Sequence, residues 1–194
     1  QEVVERNPEY EMAFQAKINR ALSFSGRDSK AIKSQLLKML KDDKNIEYFD
    51  QIYYALAEIS FKNNAEETGK EQLQKSINLS TNNLSQKIKS MQRMGDLYFE
   101  KSQYIKSYFY YDSIQKTSLK AYKNKEQVDK KYKLLKNIFI NRTLIEKNDS
   151  LFAICSLDPK QRIDKIYEVL DLEIAKRAKK SETPLLASAN KPLS

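Results

Sequence analysis

Apolar residues recur at intervals of three and four along most of this chain, the spacing that collects them on one face of a helix. Met12, Ala13, Ala16 and Ile18 form one such stripe behind Asn7-Pro8-Glu9, and Ile32, Leu36, Leu37 and Leu40 form a second behind Asp28 and Ser29, with Gly26 between them. A capping side chain followed by proline marks a helix start, because the first helical N–H has no intrahelical partner to lose. Asp158-Pro159-Lys160 gives the same signal. The pattern predicts further helices over 46–62, 65–80, 84–101, 104–117, 123–146 and 159–179, with a short turn of helix around 149–156. The connections Asn63-Asn64, Ser80-Thr81-Asn82-Asn83 and Lys101-Ser102-Gln103 are short and polar, which forces consecutive helices to lie antiparallel and in contact. From Ser181 to Ser194 there are two prolines and no aromatic residue, so a polar tail or linker without regular structure is expected there.

Composition narrows the fold class to all-α. Three glycines and four prolines are too few to punctuate a sheet, whose hairpins need residues that accept positive φ or fix φ. At 40% hydrophobic residues the 194-residue chain has enough apolar surface for a core. Residues 8–180 should therefore be more than about two-thirds helix, against a general rate of roughly one-third, with no sheet.

Sliding the sequence against itself by 38 residues aligns Leu56-Ala57 with Met94-Gly95, Phe61 with Phe99, Gly69 with Ser107 and Leu73 with Tyr111. Met94-Gly95, Tyr98, Tyr104, Ser107 and Tyr111 resemble a tetratricopeptide repeat, in which small residues sit where two helices approach and bulky ones fill the space beside them. In the same frame the first copy holds Leu56, Ala57, Ser60, Gly69, Leu73 and Ser76. Four residues beyond the usual length of about 34 fit the Ser80–Asn83 loop. The expected architecture is a short solenoid of antiparallel hairpins: an N-terminal hairpin at 1–44 as degenerate repeat or cap, two repeats at 45–120, C-terminal helices at 121–180 packing on the stack, and the tail.

The stretch Asp50-Gln51-Ile52-Tyr53-Tyr54-Ala55-Leu56-Ala57-Glu58-Ile59, with Glu66-Glu67-Thr68, Gln86-Lys87, Gly95-Asp96-Leu97-Tyr98-Phe99 and Tyr108-Phe109-Tyr110-Tyr111-Asp112-Ser113, resembles the tetratricopeptide region of the SprE/PorW lipoproteins. These belong to the type IX secretion and gliding-motility apparatus of Bacteroidota. The likeness is closest over 45–115. It implies a periplasmic, outer-membrane-associated scaffold whose partners are periplasmic ring proteins and the outer-membrane translocon. The lipid-bearing cysteine would lie upstream of Gln1, so the chain reads as a segment of a longer protein.

The residues that carry chemistry point the same way. With no histidine and one cysteine, the chain lacks the parts of a Ser-His-Asp or Cys-His nucleophile and of a Cys/His zinc site. Cys155, inside Leu151-Phe152-Ala153-Ile154-Cys155, reads as a small core residue. Glu66-Glu67 and Asp42-Asp43 read as solvated carboxylates at helix ends rather than an acid/base couple. The three glycines are isolated and form no phosphate loop. No enzyme activity, cofactor or metal is expected. Lys plus Arg number 35 against 26 Asp plus Glu, a net charge of +9. Residues 84–147 hold 15 basic and 6 acidic residues, which is the whole excess. Basic residues among tyrosines also suit single-stranded nucleic acid, so a basic helical nucleic-acid-binding domain and a cytoplasmic tetratricopeptide adaptor are the alternatives. An acidic protein surface is the favoured complement.

In the repeat frame the inward positions are Gln51, Tyr54, Glu58, Phe61 and Lys62 in the first copy and Lys89, Gln92, Asp96, Phe99 and Glu100 in the second. An aromatic beside a carboxylate recurs in both, as suits a groove for a protein segment with the rings as anchors. The other reading places Phe61 and Phe99 in the seam between repeats.

Overall fold

The computed structural model describes residues 8–23, 29–117, 122 and 124–186. Its elements are α1 (Pro8–Leu22), α2 (Ser29–Met39), a 3-10 helix (Asp43–Tyr48), α3 (Phe49–Lys62), α4 (Glu66–Leu79), α5 (Leu84–Glu100), α6 (Tyr104–Gln115), α7 (Lys125–Cys155) and α8 (Pro159–Leu186). No strand occurs among the described residues, and the protein is all-α as expected. The described residues divide into two units, one within 1–139 and one within 140–194, the boundary falling within α7.

The helix starts at Pro8, Ser29 and Pro159 coincide with the cap signals, although Asn7, Gly26 and Asp28 lie outside the described residues. At α8 the cap is visible: one Asp158 carboxylate oxygen accepts from the N–H groups of Lys160 and Gln161 at 3.0 and 3.1 Å. Four expectations need correction. The helices expected at 123–146 and 149–156 are one, because Lys147-Asn148-Asp149 contains no glycine or proline to stop it. In α1 the core-facing residues are Phe14, Ile18 and Ala21, while Met12, Ala13 and Ala16 are exposed, and Leu37 of α2 is exposed too. Met12, Ala13 and Ala16 are simply on another side of the helix, whereas 14, 18 and 21 keep the i, i+4, i+7 spacing. Helix α8 continues to Leu186, so residues 181–186 of the expected tail are helical, and 187–194 lie outside the described residues. Cys155 is exposed rather than buried.

The first unit is organised around α3, which is apolar on two sides. Ile52, Ala55, Leu56 and Ile59 pack with Phe14, Ile18 and Ala21 of α1 and Ile32, Leu36 and Met39 of α2. Tyr54 and Ala57 instead pack with Leu73 of α4 and Met94 and Leu97 of α5. A helix covered on both sides needs apolar residues around most of its circumference, and Ile52-Tyr53-Tyr54-Ala55-Leu56-Ala57 supplies them. Ile88 and Met91 of α5, Tyr111 and Ile114 of α6, and Val128 and Leu135 of α7 form a third cluster with Ile77. The first four turns of α7 thus belong to this core.

The 38-residue shift is also geometric. Asn64 and Ser102 both take φ of 58°, a left-handed conformation that ends each helix and starts the next. The N–H of Ala65 donates to Ser60 O and that of Gln103 to Tyr98 O, both at 2.9 Å. Two hairpins, α3–α4 and α5–α6, therefore share one turn.

A polar seam joins the hairpins. The Ser76 hydroxyl donates to the Asp50 carbonyl oxygen at 2.7 Å and lies 2.8 Å from the Ser90 hydroxyl, which also accepts from Gln86 Nε2 at 3.0 Å. Small hydroxyl residues let helices approach closely and satisfy one another where water is excluded. Burial pushes the Asp50 carboxyl above its ordinary range, partly opposed by bonds from the Ser80 hydroxyl and the Gln51 N–H.

In the second unit no described side chain is buried. Leu144, Ile145, Leu151 and Phe152 of α7 are exposed, as are Ile163, Ile166, Tyr167, Leu170 and Ile174 of α8. This is why Cys155 is exposed: its apolar neighbours have no core to enter. Helices without tertiary burial open at little cost. Amide hydrogen exchange should find α8 protected at least ~100-fold less than α3. Equal protection would mean that α8 is covered in solution.

Candidate protein-binding face

The recurring carboxylate and aromatic of the sequence frame face basic residues from the next helix along. Glu58 of α3 accepts from Arg93 Nε of α5 at 2.7 Å, and the Arg93 guanidinium stands 5.1 Å from the Phe61 ring centroid. One frame on, Asp96 of α5 pairs with Lys131 of α7, whose ammonium stands 4.5 Å from the Phe99 ring centroid. Arg93 and Lys131 are themselves 38 residues apart, so each acid, ring and cation group recurs at the repeat spacing. The groups stitch α3 to α5 and α5 to α7.

The remaining expected residues cluster around these groups. Tyr54 is buried, with the Lys89 ammonium 4.4 Å from its ring centroid. Desolvation holds the Lys89 pKa below its ordinary value. Gln51 accepts from Gln15 Nε2 of α1 at 3.1 Å. Lys62 donates to Leu22 O at 2.7 Å, which ties α3 to α1. Gln92 accepts from the Tyr122 hydroxyl at 2.9 Å. Glu100 is exposed. Asp96 also accepts from the Tyr111 hydroxyl at 2.7 Å.

Both phenylalanines are half-buried. A Cβ built on Gly69 would collide with Cε1 of Phe61, so the Phe61 ring occupies the space that Gly69 leaves open between α3 and α4. Phe99 meets Tyr104 edge-on with centroids 5.3 Å apart. Each ring therefore fills a seam with one part and presents the other to the surface, beneath a cation.

Arg93, Tyr122 and the pairing of Lys131 were missed by sequence reasoning, which took Arg93 and Lys131 only as part of the net charge of 84–147. The signal was available in part: two basic residues separated by the repeat length, each 35 residues beyond an acid.

Burial raises the pKa of Tyr54, helped by Glu58, and burial with the Asp96 carboxylate raises that of Tyr111. A raised phenol binds its proton more tightly in the folded chain. The stabilisation is complete below the ordinary tyrosine range, about 10, and is lost as pH rises through the folded value. In an alkaline titration followed by tyrosine absorbance, Tyr54 and Tyr111 should ionise only together with loss of helical circular dichroism. Ionisation of all 12 tyrosines in a still-helical protein would contradict this burial.

The fold and this face define an all-α protein of helical hairpins whose neighbouring helices are cross-linked by repeated ion pairs. No family model matches the chain, and no curated protein matches it. Among the described residues no helix is long and apolar enough to cross a membrane.

Proposed function

We propose that the protein is a non-enzymatic scaffold that binds other proteins through the face built by α3, α5 and α7. The observation that carries this reading is the recurrence of the Glu58/Phe61/Arg93 group as Asp96/Phe99/Lys131 on successive helices. A face that repeats every 38 residues offers regularly spaced contacts to an extended or helical segment. Its charges are fixed in place by internal pairing, so a partner meets ordered side chains and little ordering entropy is lost on binding. The exposed edges of Phe61 and Phe99 are the anchors, and Lys62, Lys89 and Glu100 set the register.

The resemblance to the SprE/PorW lipoproteins supports a narrower reading: a component of a type IX secretion and gliding-motility machinery, at the periplasmic side of the outer membrane, held by a lipid anchor outside these residues. Its partners would be the periplasmic ring proteins and the outer-membrane translocon. A basic nucleic-acid-binding domain and a cytoplasmic tetratricopeptide adaptor remain the competing classes.

The test is binding of the Phe61→Ala/Phe99→Ala variant to the ring and translocon proteins, after circular dichroism has confirmed its fold. Truncating two anchors should weaken binding by at least about 2 kcal/mol. Reversing the charge of Lys130 and Lys133, which leaves the Asp96–Lys131 pair intact, should alter chiefly the association rate and its salt dependence. Normal binding by the phenylalanine variant would exclude this face. Submicromolar binding to single-stranded nucleic acid at physiological salt, tighter than the roughly micromolar non-specific range, would overturn the scaffold reading.

A further inference from the structure

The α5–α6 hairpin carries a second surface feature. Tyr98 of α5 and Lys106, Phe109, Tyr110 and Ser113 of α6 line an open groove of about 350 Å³. Tyr98 and Tyr110 stack with centroids 5.7 Å apart and planes 18° apart. Phe109 is 54% exposed, a large value for its ring. The ammonium groups of Lys106 and Lys70 stand 5.4 and 5.5 Å from the Tyr98 ring centroid. No lining residue is acidic.

The preceding hairpin is an internal control. Shifted back by 38 residues, the five groove positions are Ser60, Thr68, Glu71, Gln72 and Lys75. There the Ser60 hydroxyl donates to Gln72 Oε1 at 2.7 Å, and polar side chains cover the same region of a hairpin with the same turn. Tyr98 and Tyr110 lay part of their rings on the core of Tyr54, Ala57, Leu73, Met94 and Leu97, whereas Phe109 stands clear of it. The exposed Phe109 ring beside the half-buried Tyr98 and Tyr110 offers a partner side chain a small apolar seat.

We propose that this groove binds a segment of a partner protein in which one large apolar side chain is flanked by carboxylates. The side chain seats among Tyr98, Phe109 and Tyr110, and a flanking carboxylate faces Lys106. Two observations set that chemistry. The walls offer ring faces and edges to an aromatic or branched aliphatic group. Lys70 is paired with Glu66 and Glu67, so the rim cation is Lys106, which lies within the segment that carries the chain's entire net charge of +9 and so attracts acidic segments and repels basic ones. The inference rests on reading the protein as a scaffold and adds a surface distinct from the Glu58/Phe61/Arg93 and Asp96/Phe99/Lys131 groups.

The experiment is a titration of the isotope-labelled chain with a capped peptide of sequence Glu-Asp-Phe-Asp-Glu, followed by amide chemical shifts. Three further probes are the same peptide with alanine at the centre, the same peptide with lysine flanks, and a 15-mer of deoxythymidine. Shifts should concentrate in residues 98–113, and the alanine peptide should bind about 10-fold more weakly or worse. Phe109→Ser should weaken binding at least about 10-fold and Lys106→Glu about 3-fold or more. Both side chains stand at the surface, and circular dichroism verifies that each variant is folded. Shifts confined elsewhere, an equal response to the lysine-flanked peptide, tighter seating of the oligonucleotide in this groove, or binding indifferent to both substitutions would each overturn the proposal. The Phe61→Ala/Phe99→Ala variant should still bind the peptide. If that variant alone loses the secretion partners while the peptide ignores the groove, the scaffold reading stands and the groove fails.

Discussion

Replacing Gly95 with leucine should unfold the α5–α6 hairpin or cost about 1–3 kcal/mol, the usual penalty for overpacking a close contact. A Cβ at Gly95 would lie 2.8 and 2.9 Å from Cε2 and Cδ2 of Tyr111, and 3.4 Å from the Cβ of Tyr110. The Tyr111 ring has nowhere to move, since it is 1% exposed and its hydroxyl is held by Asp96. Even alanine should be unfavourable there. Its better helix propensity, about 1 kcal/mol over glycine, is outweighed by a clash against a fixed ring. Gly69 makes the comparison instructive. Its Cβ would come closer still, to Phe61, yet Phe61 is half-exposed and its ring can swing outward. The Gly95 variant should therefore lose more stability than the matching Gly69 variant. Thermal melts check this at about 2–4 °C per kcal/mol for a chain of this size. An unchanged midpoint for Gly95→Leu would contradict the packing of α5 on α6.

Removing the Asp96 carboxylate should be the second costly change, and it should separate the two ion-pair groups. Asp96→Ala leaves the buried Tyr111 hydroxyl without its acceptor and the Lys131 ammonium without its partner. An unsatisfied buried donor costs about 1–3 kcal/mol. The ion pair adds less, because both side chains are about one-quarter exposed and solvent screens them. Asp96→Asn keeps an acceptor for Tyr111 and should recover most of the loss. Glu58→Ala should cost less than Asp96→Ala, since no buried phenol depends on Glu58 and Arg93 keeps its place over Phe61. Urea titrations of the three variants would order them, and equal stability of Asp96→Ala and Glu58→Ala would show that the Tyr111 bond carries no weight.

Other features differ in how far the sequence anticipated them. The helical class, the starts at Pro8 and Pro159 and the 38-residue frame were legible because each rests on local rules: scarce glycine and proline, capping before proline, and apolar residues every three or four positions. The common turn at Asn64 and Ser102 follows from the same frame. Local rules could also identify Phe61, Phe99, Glu58 and Asp96 as equivalent positions, since equivalence is a matter of spacing. They left open whether the two rings were anchors or seam fillers, and each ring proves to be half-buried.

What the chain determined by itself is its helical periodicity, its repeat length and the placing of its charge excess, all properties of residues near one another in sequence. Only the tertiary structure decided which side of each helix has a neighbour. It turned Phe14, Ile18 and Ala21 of α1 inward rather than Met12, Ala13 and Ala16, because burial is decided by which side α3 covers. It exposed Cys155 and the apolar residues of α8, although Ile163, Ile166, Tyr167, Leu170 and Ile174 recur at helical spacing. It paired Lys131 with Asp96 across 35 residues, removing from the rim a lysine that composition alone would count as free charge. The physical reason is the same in each case: periodicity fixes which residues share a face of a helix, whereas the partner of that face is chosen by contacts distant in sequence.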